Sequence, residues 1–256
     1  MEELIRLDDV EEAAAGDGHL LWAAQGQHDG RLGPGVRAWR HGTALAVASP
    51  DLSARDRLAV KGSADDAARL VRHVLTEVGP TYRPVGRASL IESLAGTIPG
   101  LSLFPAFYWM ETSAVPDPPA IGVRWLDEVQ VKEATSLFDR FFPDSFAQPD
   151  DGGTHRWAGI VDSLDSGAPP EPLAVAADVW SAAGCGFLAG VCTHPGARGR
   201  GLARAVCGFV LGELVHRYGR AALMVHGGNR SAIAVYERLG MSKRPLAGAQ
   251  VVVTAP

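Results

Sequence analysis

Between residues 191 and 203 the chain reads Val-Cys-Thr-His-Pro-Gly-Ala-Arg-Gly-Arg-Gly-Leu-Ala, a β-type run broken at Pro195-Gly196 and followed by a glycine-rich loop. Beyond the loop, Leu202, Val206, Phe209, Val210 and Leu214 recur at helical spacing through about His216. A strand, a glycine loop and a helix in this order commit the region to an α/β architecture. The loop then stands at the amino end of the helix. There the first N–H groups have no internal partner, and the helix dipole favours an anion. Gly199, Gly201 and Ala203 leave room for a diphosphate to touch backbone, and Arg198, Arg200 and Arg204 add positive charge around it. The loop lacks the GxxxxGK[ST] of a P-loop and the GxGxxG of a dinucleotide fold, so both of those phosphate sites are excluded.

The downstream sequence continues the alternation. Ala221–Val225 predicts a strand, Ser231–Leu239 a helix and Gln250–Thr254 a last strand. Upstream, Val123–Leu126, Leu173–Trp180 and Gly184–Thr193 predict strands, with helices over Glu128–Phe138, Phe141–Phe146 and Trp157–Ser163. Asp165–Glu171 reads as a surface turn. The amino half offers a fainter version of the same order. Strands are predicted near Val36–Trp39, Thr43–Ala48 and Arg57–Lys61, then a helix over Ala64–Val78 with Ser63 as its cap, Asp65 and Asp66 in its first turn, and Gly79-Pro80 as its stop. An extended Tyr82–Val85, a helix around Ser89–Ala95 and an apolar strand Leu103–Met110 complete it, the aromatic run Phe104–Trp109 serving as strand core or interface. Between the halves, Val115-Pro-Asp-Pro-Pro-Ala120 has the three prolines of an extended linker.

A 256-residue chain that is 46% hydrophobic and 21% charged has the make-up of a folded globular protein. Its net charge of −5 argues against nucleic acid as a partner, because phosphate backbones need a basic surface. The acidic start MEELIRLDDVEEAAAG is not a secretory signal, and no run is apolar enough to span a membrane. Cys185, Cys192 and Cys207 lack CxxC spacing and read as small buried residues of a reduced, cytoplasmic protein without a metal site.

Arg198-x-x-Gly201-x-Ala203 resembles the R/Q-x-x-G-x-G/A signature of the GNAT superfamily of N-acetyltransferases. Asn229-Arg-Ser-Ala232-Ile-Ala-Val-Tyr236-Glu-Arg-Leu239-Gly240-Met241 is similar to that family's second signature, N-x-x-A-x-x-x-Y-x-x-x-G-F, with Met241 in place of the final aromatic. The resemblance covers roughly residues 120–256 and is clearest from Gly186 onward. It implies a mixed, mostly antiparallel twisted sheet flanked by helices, and acetyl-CoA as acetyl donor. Arg198 through Arg204, including Leu202, would surround the pyrophosphate. The strand ending Val191-Cys192-Thr193 would pair with the pantetheine arm, and the Val191 amide would polarise the thioester carbonyl. Asn229 would contact the arm, Ala232 would keep the passage clear, and Tyr236 would protonate the leaving thiolate. A tyrosine, with a reference pKa of about 10, keeps its proton at neutral pH and suits that role.

The base is open. The strand Gly184–Thr193 has no carboxylate, which leaves Asp178, His194, His226 or a water chain. The acceptor is open too, a small-molecule or peptide amine, and so is the choice between monomer and homodimer. The resemblance further implies a tandem arrangement. Residues 1–115 would form a degenerate GNAT-like domain without a cofactor site, 116–120 the linker and 121–256 the catalytic domain, since Val60-Lys-Gly-Ser-Ala64 has one glycine and leads into Asp65 and Asp66, which would repel a pyrophosphate. The competing expectation is a non-catalytic acyl-CoA-binding or sensing module.

Overall fold

The structure, a computed structural model, describes residues 1–150, 155–161 and 172–252. The amino half runs β1 (Glu2–Leu4), α1 (Leu7–Ala14), α2 (Gly18–Ala24), β2 (Arg37–His41), β3 (Ala44–Ser49), β4 (Arg57–Lys61), α3 (Ala64–Val78), β5 (Arg83–Arg87), α4 (Ala88–Thr97), β6 (Leu101–Leu103) and β7 (Phe107–Thr112). The carboxyl half runs β8 (Arg124–Trp125), α5 (Glu128–Phe141), β9 (Arg156–Val161), β10 (Pro172–Asp178), β11 (Gly186–Thr193), α6 (Leu202–Tyr218), β12 (Ala221–His226), α7 (Arg230–Arg238) and β13 (Ser242–Val251). Local chemistry sets several of these bounds. Ser63 Oγ accepts from the Asp66 N–H at the start of α3, which ends at Gly79 with φ 99°. At the start of α5, Asp127 accepts from the Gln130 N–H at 2.9 Å, while the Gln130 side chain accepts from the Asp127 N–H at 3.3 Å.

The strands form one sheet in the order β1-β2-β3-β4-β5-β13-β7-β12-β11-β10-β9-β8, with β6 paired to β13 off this path. Every pairing is antiparallel except β4 with β5 and β11 with β12. Each parallel pair needs a crossover, and α3 and α6 supply them. The final strands are exchanged between the halves. β7, from the amino half, lies between β12 and β13, while β13, the last strand of the chain, reaches β5.

Helices cover both faces of the sheet. In β3, whose six residues are all buried, Leu45 and Val47 face α1 and α2, while Ala44, Ala46 and Ala48 face α3 and α4. In β7, Trp109 joins the core that also contains α2 and α5, while Met110 joins the core under α6 and α7. The two halves meet around Trp22, which is wholly buried. Its ring stacks on Phe187 at 4.5 Å and lies 5.8 Å from Trp109, and its indole N–H donates to the Trp180 carbonyl at 3.0 Å.

Four sequence expectations are corrected. The helix predicted over Trp157–Ser163 is replaced, over its described residues 157–161, by β9, which lies between β8 and β10. No helix covers Phe141–Phe146, since α5 stops at Phe141 and Phe142 leaves the helical region at φ −153°. The predicted strand Leu103–Met110 is two strands, separated at Phe104–Ala106 around Pro105. β13 begins at Ser242, well before Gln250. The turn predicted at Asp165–Glu171, and the last part of the strand predicted over Gln250–Thr254, lie outside the described residues.

Trp22 fills space shared by both halves, so its truncation leaves a cavity that neither half can collapse alone. Trp22→Ala is expected to lower unfolding stability by about 3–5 kcal/mol, read from urea unfolding curves. A loss under about 1 kcal/mol would show that the aromatic cluster is not the joint between the halves.

Candidate functional site

The two strands of the β11–β12 pair soon separate. They are paired at Gly186↔Ala221 and Phe187↔Ala222, after which no ladder joins them. β10 stays paired with β11 up to Thr193, and β7 stays paired with β12 up to His226. The two strands therefore diverge with their outer edges satisfied and their inner edges open. Such an inner edge must find another partner. A cleft of about 900 Å³ occupies the opening, lined by Leu188–Val191 on β11 and Leu223–His226 on β12.

β11 is also bulged here. Its register against β10 slips between Val175↔Cys192 and Ala177↔Ala189, which sets Gly190 and Val191 out of the regular ladder. Gly190 has φ 60°, and a Cβ on it would meet the Trp157 ring at 2.4 Å. Glycine is needed at this position for both reasons. Val191 lines the cleft, whereas Cys192 is buried on the other side of the strand with its thiol pushed up by burial. Thr193 ends the strand opposite Ala174.

Past β11, His194 Nδ1 accepts from the Gly196 N–H at 3.1 Å and starts a short 3-10 turn over Pro195–Ala197. Gly199 and Gly201 both have φ 79°, and a Cβ at either would meet open space. Their backbone conformation alone is enough to demand glycine. Gly201 caps α6 without a side-chain acceptor, and no acid occupies the first turn. The leading N–H groups at Leu202, Ala203 and Arg204 thus lack a capping side chain, at the end of a 17-residue helix. Arg198, Arg200 and Arg204 are at least partly exposed, and none pairs with an acid among the described residues. The loop itself does not line the cleft. It follows directly from the strand that does.

From α7, Asn229, Ala232 and Tyr236 line the cleft together. Asn229 Oδ1 accepts from the Ala232 N–H at 3.2 Å and from Ser231 Oγ at 3.1 Å, so its oxygen caps the helix and only its amide group is left for a ligand. Tyr236 stands two turns later on the same face and is 7% exposed. Burial, with a further contribution from Cys207, holds its hydroxyl pKa well above 10.

The structure separates the candidate bases. Asp178 does not line the cleft. Its carboxylate accepts from Ser181 Oγ, which in turn accepts from the Phe187 N–H, and burial raises its pKa. His194 is committed to its turn and packs edge-on against Phe141. His226 does line the cleft, with Nδ1 accepting from the Gly228 N–H at 3.1 Å.

The sequence reading missed the opposite wall. Ser53, Arg55, Arg57, Arg83, Phe104 and Phe107 of the amino half complete the cleft, together with Phe142, Phe146 and Trp180. Only the aromatic run Phe104–Trp109 had drawn notice, and it divides its roles. Phe104 and Phe107 face the cleft, and Trp109 faces the core. A second cavity, of about 640 Å³, lies at the β4–β5 pair. Across it Lys61 Nζ donates to the Ala13 and Ala14 carbonyls at 3.1 and 2.8 Å, and Arg244 makes a two-pronged ion pair with Asp17.

Compared with known proteins, residues 168–249 match the family model described as FR47-like protein. Three solved structures align over nearly the whole chain. One is a GNAT-family protein from Novosphingobium aromaticivorans, at 19% identity and TM-score 0.52, covering 96% of this chain and 97% of that one. Another is a GCN5-related N-acetyltransferase from Kribbella flavida, at 16% and 0.58, covering 94% and 96%. The third is a Drosophila protein, at 13% and 0.63, covering 96% and 95%. This chain has the GNAT fold. No curated protein matches it at a significant level. Among the described residues, no cluster of three His, Cys, Asp or Glu side chains could hold a metal, and no helix is long and apolar enough to cross a membrane.

Gly190→Ala tests the bulge. The added methyl collides with Trp157 and strains a positive φ, so a stability loss of about 1–3 kcal/mol is expected in thermal or urea unfolding. An unchanged midpoint would mean that the bulge repacks freely.

Proposed function

We propose that the protein is an N-acetyltransferase that moves an acetyl group from acetyl-CoA to a primary amine by direct attack in a ternary complex. One observation carries this reading: the open inner edge of β11 lines one cleft with the Tyr236 side chain, and the chain runs on from that strand to the uncapped start of α6. The residues fit the donor at each point. Free β11 backbone groups suit the amides of a pantetheine arm, which would add to the strand as a peptide does. The α6 N–H groups, with Arg198, Arg200 and Arg204 beside them, suit its diphosphate.

In this scheme the amine nitrogen forms a bond to the thioester carbonyl carbon, and charge develops on the carbonyl oxygen. The Val191 N–H stabilises that charge. As the C–S bond breaks, the Tyr236 hydroxyl gives its proton to the departing sulfur, and the proton that the nitrogen sheds on becoming an amide returns through cleft water to the tyrosinate. A hydroxyl pKa held above its ordinary value keeps that proton in place until it is needed. The amine must first lose its own proton. His226 is poorly arranged to take it, because Nδ1 already accepts from Gly228 and in the neutral ring Nε2 then carries the hydrogen. We assign this proton to water in the cleft.

We read residues 1–115 as a second GNAT-like unit without a cofactor site, 116–120 as the linker and 121–256 as the catalytic unit. The repetition of a parallel strand pair with a helical crossover supports this reading, with β4–α3–β5 matching β11–α6–β12. In the amino unit Asp65 and Asp66 occupy the helix start, Ser63 caps it, and Lys61 bridges the wedge. The two aspartates repel a diphosphate there, Ser63 already takes a helix-start N–H, and the Lys61 ammonium is spent on the Ala13 and Ala14 carbonyls.

Tyr236→Phe is expected to leave acetyl-CoA affinity nearly unchanged in calorimetry and to cut turnover at least tenfold, about 1.4 kcal/mol in the barrier. Equal turnover would remove Tyr236 as the acid. Gly201→Glu is expected to abolish acetyl-CoA binding through steric and charge conflict, and retained affinity in a folded variant would put the diphosphate elsewhere. Tight acetyl-CoA binding with no transfer across a broad amine panel would instead make the protein an acyl-CoA-binding module.

A further inference from the structure

We infer that the acceptor is an amine whose molecule also carries a carboxylate, held by Arg57 and Arg83 at the amino-half wall of the cleft, with an apolar or aromatic body lying against the phenylalanines. This rests on the acetyltransferase reading and adds the substrate class to it. Arg55, Arg57 and Arg83 all line the cleft, against Asp144 as the single acidic side chain there among the described residues. None of the three arginines pairs with a carboxylate among the described residues. They are held by other means. Arg57 Nε donates to the Leu52 carbonyl at 2.7 Å, and its guanidinium lies 5.7 Å from the Trp22 ring centre. Arg83 lies over Phe104, and Arg55 over Phe146, both at 5.2 Å.

Arg57 is the most telling of the three. It is half-buried and reaches within 4.0 Å of Met224 Sδ, on the strand that forms one side of the opening. A half-buried guanidinium without a counter-charge is costly, and burial together with the neighbouring Arg55 and Arg83 lowers its pKa to about 10. It remains charged at neutral pH. A ligand carboxylate would supply the missing counter-charge in the two-pronged geometry that guanidinium favours. The same field would repel a polycationic amine. The cleft is therefore built against the cationic acceptors that a net charge of −5 would suggest.

The test compares L-phenylalanine, phenylalaninamide, phenethylamine and spermidine as acceptors in a thiol-release assay with acetyl-CoA. The carboxylated amine is expected to exceed its amide at least tenfold in kcat/KM, with spermidine the poorest. Arg57→Gln should bring the acid-over-amide ratio close to one, mainly through KM. Arg83→Gln should lower the same ratio, and it keeps the test intact if Arg57→Gln does not fold. Independently of turnover, calorimetry with N-acetyl-L-phenylalanine should show binding to the wild type that weakens at least tenfold in either variant. A preference for the amide or for spermidine, or product binding that neither variant weakens, overturns the inference. Transfer to amines without a carboxylate preference would overturn this inference alone, whereas absent acetyl-CoA binding would overturn the acetyltransferase reading itself.

Discussion

The site depends on a backbone constraint: two parallel strands that stop bonding to each other in the middle of a sheet. Buried backbone groups rarely stay unpaired, so an internal edge survives only where something else can satisfy it. Here the divergence is fixed from both sides. β12 is held to β7 over six residue pairs, from Ala221↔Thr112 to His226↔Phe107. β11 is held to β10 up to Ala174↔Thr193, with a bulge opposite Ala176. At the closed end, Phe187 is the last residue paired across, and it is clamped under Trp22. The wedge is thus a stable feature of the fold, and its inner edge is left without a strand partner beyond Phe187↔Ala222.

The exchange of last strands ties this wedge to the other half of the chain. β7 makes the neighbour that β12 needs, and β13 pairs in turn with β7 and β5. One consequence is mechanical, since neither half completes its sheet alone. The other concerns the site. Carrying β13 across to β5 brings β4 and β5, and with them Arg57 and Arg83, to the far wall of the cleft. The β11–α7 side of the cleft is built by residues close together in sequence. The opposite wall is built by topology.

That difference explains what the sequence disclosed. β4 and α3 were readable to the residue, because Ser63, Asp65, Asp66 and Gly79 mark the ends of α3 by local chemistry. The glycine loop and the Asn229–Tyr236 spacing were readable for the same reason. β9 was not, since Trp157-Ala-Gly-Ile-Val161 is short and apolar and carries no period that separates strand from helix. Nor was the start of β13, where Lys243, Arg244 and Pro245 argue against a central strand. From Ser242 to Pro245 that strand has only β7 beside it, and β5 joins at Leu246, so the proline lies where one side is still free. Arg57 and Arg83 looked like ordinary charged strand ends, because nothing local to them announces that they face a cleft.

The charge balance shows why a global count misleads about such a site. Many of the acids that make the chain negative are already committed at the surface, as Glu2 is to Arg40, Glu3 to Arg37 and Asp29 to Arg31. Exposed pairs of this kind contribute little to stability, and each cancels an arginine. The cleft arginines are kept out of that exchange by aromatic faces and a main-chain carbonyl, which hold a guanidinium in place without neutralising it. A protein of net charge −5 thereby presents a positive interior wall. The positive charge lies where the open edge of β11, the Tyr236 side chain and the acceptor would meet.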